Sequence, residues 1–177
     1  MLRLAVLALV LPLAAALVAP APAGAEPHTR PRDFRCLLKG KKAEGKSFYI
    51  FNRNRAKLRR ALAMSETGEI PGRGYPVGTI LQVLPFEAMI KRRRGYNPEG
   101  NDWEFVRLRP TPEGGTEILG AGRGEVSNAL GSCQGCHQRL ASDYDLVCEF
   151  VVGAAGLGLT DEQLAAIQAA DPRCKEK

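Results

Sequence analysis

Short apolar runs with strand-like composition alternate along the chain with polar stretches rich in Gly and Pro. "SFYIF" (47–51) reads as a short strand. "NRAKLRRALAMS" reads as a helix: Asn54 is placed to cap it, and Leu58, Ala61, Leu62 and Ser65 recur at helical spacing. "ETGEIPGRGYP" is a turn-rich connector. "GTILQVL" (78–84) is β-like, and "FEAMIKRR" reads as the continuation of that strand beyond a break at Pro85. After the turn "GYNPEGN", the pieces "DWEFVRLR" (102–109), "PTPEGG" and "TEILG" predict a hairpin. "EVSNALGSCQGCHQRLA" reads as a helix or as mixed loop and helix, and "DYDLVCEFVV" as a final strand. In "TDEQ", Thr160 and Gln163 form a capping box that predicts a helix over 161–170, packing Leu164 and Ile167. Residues 26–33, "EPHTRPRD", read as a loose arm. The fold class expected is α+β: a predominantly antiparallel β-sheet domain with a few helices.

The first 25 residues stand apart. Arg3 precedes the apolar run "LAVLALVLPLAAALVA", and "AGA" (23–25) is a small-residue cleavage site. This is the pattern of a cleaved signal peptide, so export to the periplasm is expected, with 26–177 as a single domain. No second apolar run is long enough to span a membrane.

The net charge is +6, and three runs carry much of the basic charge: "KGKK" (39–42), "RNRAKLRR" (53–60) and "KRRR" (91–94). They read as solvated faces, or as a docking patch for an acidic redox partner protein or an anionic membrane surface. No nucleic-acid motif is present, and nucleic acid is not expected as a partner.

"GSCQGCHQRL" (131–140) carries the chemistry. Cys133, Cys136 and His137 form Cys-x-x-Cys-His, the attachment signature of a single c-type haem. Two thiols at this spacing form thioethers to the haem vinyl groups, and His137 is held beneath the iron as its axial ligand. A Cys133–Cys136 disulfide, a thioredoxin-like redox pair and a zinc site are the competing readings. No βαβ pattern or second Cys/His pair supports the last two. The other histidine, His28, lies in the N-terminal arm. Met64 and Met89 precede the motif, fit helix and strand cores, and have no counterpart after it. The iron is therefore expected to keep an open or weakly held sixth position, free to bind a small gas or to oxidise a small substrate, with lysine or another unusual sixth ligand as the alternative.

"YPVGTILQVL", "NDWEFVRLRP" and "CQGCHQRLASDYDLVCEF", spanning residues 75–150, resemble the cytochrome P-460 family. The resemblance implies a P-460-like antiparallel core (about 47–152), five-coordinate haem c and a homodimer. It gives Cys133 and Cys136 the thioether roles and His137 the proximal one. Members divide into P-460 proteins proper, which carry a haem–lysine cross-link and oxidise hydroxylamine, and cytochromes c′-beta, which lack it and bind nitric oxide. Here "TILQVL" offers no lysine, and Lys91, the next one, sits in a basic run that looks solvent-facing.

Phe86, Phe105 and Trp103 are the distal-pocket candidates, though aromatic residues on strands also serve as plain core. A carboxylate in the pocket would supply a base for proton-coupled oxidation. Glu87, Glu104, Asp143 and Asp145 are the candidates, and each also reads as a surface charge. Of the remaining cysteines, Cys36, Cys148 and Cys174, any two can pair, or one can bridge a dimer. The function expected is an exported monohaem cytochrome binding small nitrogen oxides such as NO. A hydroxylamine-oxidising enzyme, a six-coordinate electron carrier and a haem-free, disulfide-stabilised domain are the alternatives.

Overall fold

A computed structural model describes residues 28–72 and 74–175; residues 1–25, read above as a signal peptide, lie outside the described residues. The β-like runs form one antiparallel meander. β1 (Tyr49–Phe51), β2 (Ile80–Gln82), β3 (Glu87–Lys91), β4 (Trp103–Pro110) and β5 (Thr116–Gly122) lie side by side in chain order. Two-residue strands β6 (Ser127–Asn128) and β7 (Gly131–Ser132) make a separate ribbon. Among the described residues three α-helices accompany the sheet: α1 (Arg55–Thr67) between β1 and β2, α2 (Cys133–Ala141) and α3 (Asp161–Ala169). The class is mixed α+β with a mostly antiparallel sheet.

Local signals explain the elements that match expectation. Asn54 Oδ1 accepts hydrogen bonds from the Ala56 and Lys57 amides at 3.0 and 3.1 Å, satisfying two donors that the first turn of α1 leaves open. Gly68, left-handed at φ 72°, closes the helix by donating its N–H to Met64 O. The Thr160–Gln163 capping box opens α3, which buries Leu164 and half-buries Ile167. The predicted hairpin is β4–β5.

Three expectations are corrected. The segment after Pro85 does not extend its predecessor: β3 folds back antiparallel on β2, pairing Leu81 with Met89. Gln82 Nε2 donates to Leu84 O and Pro85 O (3.1 and 3.2 Å), which holds the reversal. "DYDLVCEFVV" is not a strand. Asp145 and Leu146 take positive φ (50° and 64°), which ends any extended run, and single 3-10 turns at Ser142–Tyr144 and Cys148–Phe150 replace it. The N-terminal arm is not loose over its described part. Thr29 Oγ1 donates to Glu104 Oε2 at 2.7 Å, and Asp33 pairs with Arg53 at 2.6 Å.

β4 is covered on both faces. Trp103 and Phe105 join Leu81, Met89, Met64 and Val147 in one cluster, while Val106 and Leu108 join Phe34, Ala88 and Ile90 in another. That two-sided burial explains why "WEFVRL" lacks a clean polar face. A Cys36–Cys174 disulfide ties the start of the fold to its end. Next to it the buried Asp171 carboxylate accepts the Leu37 amide (2.9 Å) and Arg173 Nε (2.8 Å).

Candidate functional site

The motif is carried by a helix. Ser132 caps α2, its Oγ accepting the Gly135 amide at 3.1 Å. Cys133 and Cys136 stand three residues apart and so fall on neighbouring positions of one helix face, with His137 next to them. All three line a cleft with a cavity volume of about 140 Å³. That is below the ~300–1,000 Å³ usual for small-molecule and cofactor sites. Apolar side chains from β2–β4 and the segment before β1 form much of the rest: Phe48, Leu81, Val83, Met89 and Phe105.

His137 is held from both sides. Its Nδ1 lies 2.7 Å from Leu146 O, and a carbonyl oxygen accepts only, so Nδ1 carries the proton and Nε2 keeps a free lone pair. Phe105 meets the imidazole edge-on at 5.4 Å between ring centres. Burial pushes the imidazole below its ordinary pKa, and the hydrogen bond to Leu146 works against that shift. A neutral imidazole with one nitrogen pinned and the other free is the form in which histidine ligates a metal.

The donor set fits haem c. Cys133 and Cys136 are unpaired thiols on the cleft wall, so neither is spent in a disulfide. Among the described residues no group of three or more His, Cys, Asp or Glu side chains is arranged to hold a bare metal ion. A porphyrin brings four of the iron's ligands itself, so one histidine suffices.

Of the three aromatic candidates, Phe105 lines the cleft. Phe86 is 43% exposed and is not among the cleft residues. Trp103 is fully buried behind the cleft, donating its Nε1–H to Asp145 O at 2.7 Å. The carboxylates also divide. Glu87 lines the cleft and accepts Asn128 Nδ2 at 2.7 Å, whereas Asp143 is exposed. Asp145 and Glu104 are not surface charges: Asp145 pairs with Lys91 at 2.7 Å and Glu104 with Arg92, all four buried. The "KRRR" run is thus solvent-facing only at Arg93 and Arg94, because Lys91 and Arg92 point to acids brought in from elsewhere in the chain. The exposed His28 is not among the cleft residues, and Met64 is core. Met89 is core and also reaches the cleft.

Sequence reasoning missed Phe48, Glu149 and Cys148 as cleft residues, and the Leu146 carbonyl as the partner of His137. An unassigned third cysteine was the one signal for Cys148; a backbone carbonyl leaves none. Burial pushes the Cys148 thiol up to about 11, with Cys136 adding to the shift. About one molecule in a thousand then carries the reactive thiolate at pH 8. Iodoacetamide labelling of Cys148 in the native protein should be slow and climb about tenfold per pH unit towards pH 11. Timed labelling with peptide mass mapping reads this rate, and a plateau by pH 9 would refute the shift.

Comparison with protein-family models, curated proteins and solved structures returned no match.

Proposed function

We infer that this chain is an exported monohaem c-type cytochrome of P-460 type, whose iron keeps its sixth position open for a small nitrogen oxide such as NO. One observation carries the reading. Cys133, Cys136 and His137 project from one capped helix into an apolar cleft, with His137 Nδ1 engaged and Nε2 free. Cys133 and Cys136 would hold the haem by thioethers and His137 its iron. The bound haem supplies a redox-active iron that takes a diatomic ligand. The apolar cleft residues Phe48, Leu81, Val83 and Phe105 favour a neutral ligand over a charged one, and the two carboxylates on the wall are engaged, Glu87 by Asn128 Nδ2 and Glu149 by Ser47.

Export is supported by the leader-like residues 1–25 and by the Cys36–Cys174 disulfide, which suits an oxidising compartment. An acidic redox protein would find Arg55, Lys57, Arg59 and Arg60 exposed on α1. The homodimer belongs to the same proposal and rests on the resemblance.

Met89 on the cleft wall favours one second reading, an electron carrier with the Met89 thioether as sixth ligand. The cross-linked hydroxylamine oxidase has less support. Among the described residues no lysine lines the cleft, and Lys91 is committed to Asp145.

Optical spectra of the mature protein, produced with a c-haem maturation system, separate these readings. The expected result is a high-spin ferrous spectrum that changes on NO addition. A low-spin spectrum indifferent to NO would leave the carrier, a strongly red-shifted ferrous Soret band the cross-linked enzyme. A colourless protein would refute haem binding.

A further inference from the structure

Asp145 and Leu146, non-glycine residues in succession, both adopt the left-handed region, where a leucine is seldom found. Such strain persists only where the surroundings over-determine it. Here Asp145 Oδ2 accepts the Tyr75 amide at 2.8 Å, and both carboxylate oxygens accept Lys91 Nζ at 2.7 Å. Asp145 O accepts Trp103 Nε1–H, and the Leu146 amide donates to Ala141 O at 2.9 Å. Lys91 is itself fixed: its ammonium also donates to Asn101 O at 2.7 Å and sits 4.9 Å from the Trp103 ring centre. Gly74 is required beside this group, because a Cβ there would collide with the Asp145 carboxylate.

A buried ion pair is a poor way to gain stability, since well-packed apolar residues of the same volume often serve as well or better. What this pair secures is direction. The turn it holds aims the Leu146 carbonyl at His137 Nδ1, and the hydrogen bond an axial histidine makes through its second nitrogen sets that histidine's orientation and basicity.

We propose that the Lys91–Asp145 pair, with Trp103, is a positioning device for His137: it locks the strained Asp145–Leu146 turn whose carbonyl orients the imidazole and strengthens Nε2 as an iron donor. This rests on the haem reading of the site. None of the three residues touches the cleft, so each acts through His137.

The test compares wild-type holoprotein with Trp103→Phe, Asp145→Asn and the double variant K91M/D145N. The double variant removes both charges together, and so covers the case in which Asp145→Asn alone leaves Lys91 unpaired and does not fold. Resonance Raman of the ferrous protein reads the iron–histidine stretch, and redox titration reads the midpoint potential. The expected result is a shift of the stretch to lower frequency and a rise in potential, as His137 loses its acceptor. Lowered melting temperature with band and potential unmoved would overturn the proposal and leave a merely structural ion pair. Should the wild type carry no haem, the haem reading falls on its own. The clamp is then read from imidazole nitrogen shifts by NMR in an H28Q background, which leaves His137 as the one histidine. Loss of the Nδ1–H tautomer in the variants supports it, and an unchanged tautomer in folded variants overturns it.

Discussion

Replacing Cys133 and Cys136 together by alanine should abolish covalent haem while leaving the protein folded. Thioether bonds survive denaturation, so colour retained after denaturing electrophoresis reports covalent attachment and not mere association. Intact mass is the second readout: wild type should exceed the sequence mass of the processed chain by one haem, and C133A/C136A should match the sequence mass. Either single substitution removes one anchor and should leave a haem held by the other. The fold should tolerate the change because both cysteines are only partly buried on the cleft wall, and α2 keeps its Ser132 cap. At roughly 25 cal/mol per Å² of apolar surface, losing two half-buried sulfurs costs about 1–2 kcal/mol. A native protein whose mass shows a Cys133–Cys136 disulfide and no haem increment would sink the functional reading, because the two thiols cannot serve both purposes.

The second large effect lies in stability. C36S/C174S should lose on the order of 4–5 kcal/mol, the chain-entropy estimate for a long cross-linked loop, here with a sequence separation of 138. For a chain of this size that corresponds to a melting temperature lower by about 10–20 °C. Cys36 is 4% exposed, and Asp171 and Arg173 beside the bridge are buried and bonded to Leu37 N and Pro85 O. Those polar contacts remain in the variant, so the C-terminal segment should stay docked at low temperature and release first on heating. Thermal unfolding of wild type with and without reductant, set against the variant, checks this. Equal midpoints in all three would mean that the bridge is absent. Thiol mapping that finds Cys148 in a disulfide would assign the pairing differently.

Much of the architecture was legible where neighbours in sequence decide it. The Asn54 cap, the face of α1 and the Thr160 capping box act over three or four residues, and each forms as expected. The β4–β5 hairpin follows from its turn. "FEAMIKRR" failed as a continuation because Pro85 marks a break without stating its direction. The chain turns back there, held by Gln82 bonding the Leu84 and Pro85 carbonyls. "DYDLVCEFVV" has strand-like composition, yet contacts from Tyr75, Lys91 and Trp103 hold Asp145 where a strand has no place for it.

The sequence by itself determined the chemistry on offer: two thiols and an imidazole at Cys-x-x-Cys-His spacing, together with the local caps and turns. Covalent spacing along the five residues Cys133 to His137 is enough for that. Only the tertiary structure decided which of three leftover cysteines pair, which lysine and aspartate leave the surface, and which carbonyl faces His137. Those outcomes depend on groups 138, 54 and 9 residues apart. Burial turns a basic run into an ion pair only when a distant acid arrives to compensate the lost hydration, and no local pattern encodes that arrival.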